Sequence, residues 1–178
     1  MMSDPHDLQT PSAWVVRWAG LVPAGGRVLD IACGNGRHAR YLAARGHAVE
    51  AVDRDPARLA PLAGMPGISV RCADLERGPW PHERQQFAGI VVVNYLHRPL
   101  LPRLLEALAP GGVLIYETFA AGNERFGRPS NPAFLLKPGE LLEVVRGRLR
   151  IIAYEDLEVS DPKPAAVQRI CAANPSVA

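Results

Sequence analysis

The chain reads as an α/β protein, a doubly wound, mostly parallel seven-stranded sheet with an antiparallel C-terminal strand. Three observations predict it. Apolar runs alternate with helix-like segments from Arg27 to Glu117. The strand candidates are nearly continuous apolar stretches, as parallel strands covered on both faces require. The run Val28-Leu29-Asp30-Ile31-Ala32-Cys33-Gly34-Asn35-Gly36 joins an acid-bearing apolar strand to a two-glycine turn just before a helix, the opening of a nucleotide-binding βαβ unit.

Residues 1–11 are polar and are expected to be flexible. Residues 12–178 form one domain, enough chain to bury roughly two thirds of its unfolded surface in a single core. Ser12 is an N-cap candidate for a helix over Ala13–Ala19. That helix carries Trp14 and Trp18 on one face, to close a cleft or to pack in the core. Pro23-Ala24-Gly25-Gly26 turns the chain into the first strand.

A helix over Arg37–Arg45 follows, then a strand over Ala48–Val52 closed by Asp53, and a helix over Pro56–Ala63. Strands over Ile68–Cys72 and Gly89–Asn94, a helix over Pro99–Leu108 and a strand over Gly112–Glu117 continue the alternation. Pro138–Val145 is a further helix with proline in its first turn. Arg150–Val159 and Ala165–Ala172 form a closing antiparallel pair. Residues 119–137 lack a clear period and begin beyond a strand C-terminus, where open α/β sheets hold their ligands, so they are assigned to a substrate-side loop.

The chemistry follows from the turn. Glycine lets the backbone approach a ligand without a Cβ clash, and the helix start beyond it offers unpaired N–H groups. Asp53, about twenty residues downstream, is placed to meet ribose hydroxyls. Gly34-Asn35-Gly36-Arg37-His38-Ala39 also satisfies the dinucleotide pattern, so a nicotinamide-dependent oxidoreductase is an alternative. Against it, Asp30 near the turn would repel a diphosphate but suit a cation. Asp74, ending the third strand, is a candidate acceptor for an adenine amino group. Acids at three successive strand ends suit a cationic nucleoside, S-adenosylmethionine.

Val28 to Gly36, Ala51-Val52-Asp53, Ala73-Asp74-Leu75, Ile90 to Asn94 and Ala109-Pro110-Gly111-Gly112-Val113-Leu114 together resemble the successive motifs of class I S-adenosylmethionine-dependent methyltransferases. Cys33-Gly34-Asn35-Gly36-Arg37 and Phe134-Leu135-Leu136-Lys137-Pro138-Gly139-Glu140-Leu141 are similar to the small bacterial tellurite-resistance and thiopurine-type group. The resemblance implies that Asp30, Gly34 and Gly36 line the methionine end of the cofactor, with Arg37 close to a carboxylate or a substrate anion. It implies that Asp53 holds the ribose, that Asp74 and Leu75 frame adenine, and that Asn94 stands at the reaction-side strand end. Ala32-Cys33 departs from the glycine and small residue that many members carry, which makes the turn less permissive.

Methyl transfer from a sulfonium is an in-line displacement, so alignment and exclusion of water dominate, and a base matters only when the nucleophile carries a proton. His97, Tyr95 and Glu117 are the catalytic candidates, near the ends of the fourth and fifth strands. His97 has the intrinsic pKa of a base, or it caps the helix start beside Arg98-Pro99. Glu117 orients a substrate amine or is a solvated strand-end acid, and His38, in the first turn of its helix, is expected to be exposed.

A net charge of +2 with scattered arginines shows no basic stripe for nucleic acid. Asn94-Tyr95-Leu96-His97 lacks the Asn/Asp-Pro-Pro-aromatic pattern of base-amine methylation. Cys33, Cys72 and Cys171 form no C-x-x-C pair, so neither a metal site nor a disulfide framework is expected. No leader pattern and no apolar run of roughly 20 residues points to a membrane, and a cytoplasmic location is expected. The expected partner is a small-molecule acceptor: a thiol, a chalcogen oxyanion or another small nucleophile. A subunit that binds S-adenosylmethionine without turning it over is the second alternative.

Overall fold

The computed structural model describes residues 9–176. A short helix, α1 (Ala13–Trp18), precedes β1 (Arg27–Ile31), α2 (Arg37–Ala44), β2 (Ala48–Asp53), α3 (Pro56–Leu59) and β3 (Ile68–Cys72). Then come β4 (Phe87–Val93), α4 (Leu101–Glu106), β5 (Leu108–Phe119), α5 (Glu140–Val145), β6 (Arg150–Val159) and β7 (Ala165–Ala173). The seven strands form one sheet in the order β3-β2-β1-β4-β5-β7-β6. Pairing is parallel from β3 to β5, and β7 lies antiparallel between β5 and β6. The strand order reverses between β1 and β4, the topological switch point at which open α/β sheets bind their ligands.

Alternation along each strand divides the core. Leu29, Ile31, Ile90 and Val92 face Leu101, Leu104 and Leu141 of α4 and α5. Val28, Val91 and Val93 face Trp14, Leu42 and Leu59 of α1, α2 and α3. Trp14 is buried, its indole N–H donating to the Ile170 carbonyl at 3.2 Å, and Trp18 meets it edge to face at 5.7 Å. The tryptophans pack α1 on the sheet. Ser12 caps that helix, its hydroxyl accepting from the Trp14 N–H at 3.1 Å.

Several boundaries differ from the sequence reading. Pro138 lies outside α5, because Gly139 adopts a left-handed conformation (φ 72°) as the N-cap and the helix starts at Glu140. The helix expected over Pro99–Leu108 opens as a 3-10 turn, Arg98–Leu100, and its last residue, Leu108, is drawn into β5. There Leu108 pairs with Phe87, and an irregularity lets the chain rejoin register at Val113 opposite Gly89. The helix expected over Pro56–Ala63 tightens into 3-10 geometry at Ala60–Leu62.

No helix separates β3 from β4, and polar side chains cover the sheet face there. Glu50 of β2 is buried and answered by Arg27 and Arg71. His82 is buried edge-on to Trp80 and Phe87, and burial lowers its pKa. Among the described residues, no helix is long and apolar enough to cross a membrane.

Candidate functional site

The site is built where β1, β2, β3 and β4 end. Past β1 the chain turns sharply, with the Cys33 N–H donating to the Val52 carbonyl at 2.9 Å and the Gly34 N–H to Asp53 Oδ2 at 2.8 Å. The other Asp53 oxygen accepts from the Asp55 N–H at 2.9 Å. Asp53 thereby welds the glycine turn to the start of α3 and keeps spare lone pairs on both oxygens. Gly36 sits at φ 75° as the N-cap of α2, where a Cβ would fall 2.4 Å from Leu62 Cδ1. Ala32 and Asn94 adopt left-handed conformations at φ 51° and 57°. Such backbone strain collects at ligand sites, and Ala32 lacks the local side-chain bonding that eases it for Asn.

Asp30 is fully buried under this turn. Burial pushes its carboxyl up to about 7, against the opposing pull of the Ala39 N–H and the Arg37 guanidinium. Its Oδ2 is buried with no hydrogen-bond partner. A carboxylate left one partner short is costly, so this atom marks a position prepared for a donor or a cation.

Three adjoining cavities run along the strand ends. The first, of about 160 Å³, is lined by Asp30, Gly34, Arg37, Arg58 and Gln9 among others. The next, of about 370 Å³, is walled by Asp53, Asp74, Leu75, Glu76 and Tyr95. The largest, of about 460 Å³, lies between Tyr95, Thr118, Phe119 and the 128–134 segment. Asn94 lines all three. Asp74 Oδ1 accepts from the N–H groups of Glu76 (3.0 Å) and Arg77 (3.2 Å), which hold its carboxyl below the usual range. Burial, with Glu76 and Asp74 nearby, raises the Tyr95 phenol, so it stays protonated at neutral pH.

An N-terminal strap borders the first cavity. The Thr10 carbonyl accepts from Arg37 at 3.2 Å, and the Ser12 N–H donates to His38 Nε2 at 3.1 Å. His38 is buried, not exposed as the sequence reading had it, and burial drives its pKa down to about 3. It is therefore a neutral acceptor. The rest of the expected polar leader, residues 1–8, lies outside the described residues.

Two catalytic candidates stand near the ends of β5 and β4 as expected but do not line the three cavities. Glu117 is buried and not solvated, pairing with Arg169 and accepting from the Ser12 hydroxyl at 2.8 Å. Its carboxylate is turned to the strap. His97 is not among the residues lining the three cavities; its carbonyl accepts from Leu100 at 3.0 Å as the chain enters the 3-10 turn. Tyr95 does line two of them. Arg128 belongs to the loop assigned to the substrate side, whereas Arg58, Glu76 and Thr118 line the cavities without a sequence motif that marks them. Only the tertiary fold brings them there, although Glu76 and Arg58 each follow an acidic strand end closely in sequence.

No group of three His, Cys, Asp or Glu side chains among the described residues is arranged to hold a metal ion, and the three cysteines are free.

Residues 28–112 match the family described as "Methyltransferase domain". A 97-residue stretch is 38% identical to trans-aconitate 2-methyltransferase from Methylobacterium nodulans, covering 51% of this chain and 37% of that protein. Among solved structures, TehB from Haemophilus influenzae superposes with a TM-score of 0.78 at 19% identity, covering 92% of this chain and 62% of its own. The 1,6-didemethyltoxoflavin-N1-methyltransferase of Burkholderia thailandensis, solved with 1,6-didemethyltoxoflavin and S-adenosylhomocysteine, gives 0.67 at 22% identity, covering 92% and 77%. The chain spans less than two thirds of the length of the first two of these relatives. Residues 28–112 are thus similar to a methyltransferase domain, and the chain has the fold of S-adenosylmethionine-dependent methyltransferases of known structure.

Proposed function

We propose that the chain is an S-adenosylmethionine-dependent methyltransferase acting on a small-molecule acceptor in the cytoplasm. The observation that carries this reading is the buried, unpartnered Oδ2 of Asp30 beside the glycine turn. An amino-acid ammonium supplies the missing donor and favours the ionised carboxyl, whereas the diphosphate of a nicotinamide cofactor would be repelled.

The remaining lining fits the same molecule. Gly34 and Gly36 keep the turn open, with Arg37 at hand for the methionine carboxylate. Asp53 is available to ribose hydroxyls through its spare lone pairs. Asp74, through its free oxygen, would accept from the adenine amino group, flanked by Leu75 and Tyr95. When bound, S-adenosylmethionine supplies a methyl group on a sulfonium that leaves as a neutral thioether.

The chain's own work is then alignment and exclusion of water. Asn94, common to all three cavities, stands between the cofactor cavities and the acceptor cavity. The Tyr95 hydroxyl orients an acceptor as a donor and is no base. Glu117 is a positioning residue that holds the strap, and His97 serves the turn into α4. The 460 Å³ cavity gives an acceptor room, which a subunit that only held the cofactor would not require.

Retention of labelled S-adenosylmethionine on the purified protein tests the reading. Asp53→Ala should weaken retention by about 1–3 kcal/mol through lost charged hydrogen bonds, and excess NADH should not displace the label. Displacement by NADH, or no retention by folded protein, would overturn it.

A further inference from the structure

We infer that the 460 Å³ cavity selects small organic carboxylates and that Arg128 is its specificity-determining residue; this rests on the methyltransferase reading above. The cavity lies beyond the ends of β4 and β5, and its volume falls in the range of small-ligand pockets. Its polar lining is rich in donors. Arg128, Ser130, Thr118 and Tyr95 line it, and none of the four side chains has a protein hydrogen-bond or ion-pair partner among the described residues. Thr118 is buried and lines the cavity. Phe119 and Phe134 supply aromatic walls, Phe134 being 52% exposed at the rim.

A guanidinium with surrounding donors matches a carboxylate, whose two oxygens meet the planar fork in a bidentate pair. The aromatic walls match the hydrocarbon body attached to it, for which an inorganic oxyanion has no counterpart. The one acid of the lining, Glu76, projects from the side shared with the adenosine cavity.

The wall that carries Arg128 is built and held. Asn123 is buried, donating through Nδ2 to the Pro129 carbonyl at 2.9 Å and accepting through Oδ1 from the Ala166 N–H at 3.2 Å. On the far side, Arg98 donates to the carbonyls of Ala133 (2.9 Å) and Leu135 (2.8 Å) while paired with Glu140. Residues 128–134 are thus fixed at both ends to β7 and α5. Such a scaffold holds the backbone that carries Arg128 in place, so that only its side chain is ordered at binding.

The test is calorimetry on the full chain, first with S-adenosylhomocysteine alone and then with a panel of aromatic and aliphatic carboxylates added to that complex, each paired with its primary amide and run beside selenite. We expect at least one acid to bind tenfold or more tightly than its amide, and selenite to bind more weakly than that acid. Arg128→Gln should abolish the acid-over-amide preference while leaving the S-adenosylhomocysteine affinity within twofold, and Arg128→Lys should restore part of the preference. Equal binding of acids and amides, selenite binding above every acid, or an unchanged preference in Arg128→Gln would overturn the inference and leave the methyltransferase reading standing. Failure of S-adenosylhomocysteine to bind folded protein would overturn both.

Discussion

The Ser12 hydroxyl donates to Glu117 Oε1 at 2.8 Å, joining the N-terminal strap to the end of β5 across 105 residues of sequence. The same oxygen caps α1, and the Ser12 N–H reaches His38 on α2. One residue therefore ties together the strap, a helix of the glycine turn and the sheet. Ser12→Ala removes the cap and one partner of a buried carboxylate, and it should cost about 1–2 kcal/mol of stability. Urea unfolding would measure it, and an unchanged midpoint would mean the strap docks independently. Glu117→Ala should cost more, about 2–3 kcal/mol, because Arg169 is left with Glu155 as its remaining partner.

Asp30 makes stability depend on pH. Its folded carboxyl titrates at about 7 and its ordinary value is 3.8. Between these values the folded chain keeps a proton that the unfolded chain has released, so stability falls as pH rises through the window. The contribution is fully present below about pH 4 and lost above about 7, on the order of 4 kcal/mol. Asp30→Asn should flatten the decline between pH 5 and 8. Identical pH profiles for the two proteins would place the titrating group elsewhere.

Gly36 and Leu62 should show energetic coupling. A Cβ at Gly36 meets the Leu62 side chain at 2.4 Å and forces a left-handed alanine. Gly36→Ala should cost about 2–4 kcal/mol in the natural background, and only the backbone share, about 1–2 kcal/mol, when Leu62 is also alanine. Additive effects in the double-mutant cycle would show that α2 shifts away.

Ala32 is the converse case. At φ 51° it bears a Cβ where glycine is at ease, so Ala32→Gly should be neutral to stabilising by up to about 1 kcal/mol, the relieved strain exceeding the added freedom of the unfolded chain. A clear loss of thermal stability would show that the alanine methyl packs usefully beside Cys33.

The sheet was legible because parallel strands announce themselves as apolar runs, and the glycine turn because its acid, glycines and helix start are contiguous. Glu117 and His38 show what was not. A strand-end acid and a first-turn histidine look solvated in sequence, and the partners that bury them, Arg169 and Ser12, lie 52 and 26 residues away. His97 has the right intrinsic chemistry, but it stands at the N-cap of the 3-10 turn Arg98–Leu100 and does not line the three cavities. Asp30 was legible as a strand acid near the turn, whereas its orphaned oxygen and raised pKa depend on how completely the turn covers it.

The most direct measurement is calorimetric titration of S-adenosylhomocysteine into the purified chain at pH 6 and pH 8. If the ammonium completes the empty valence of Asp30, binding should be in the micromolar range and tighter at pH 8, by up to about tenfold per unit below pH 7. Folded protein that takes up no S-adenosylhomocysteine at either pH would contradict the assignment of the glycine turn and Asp30 to the cofactor.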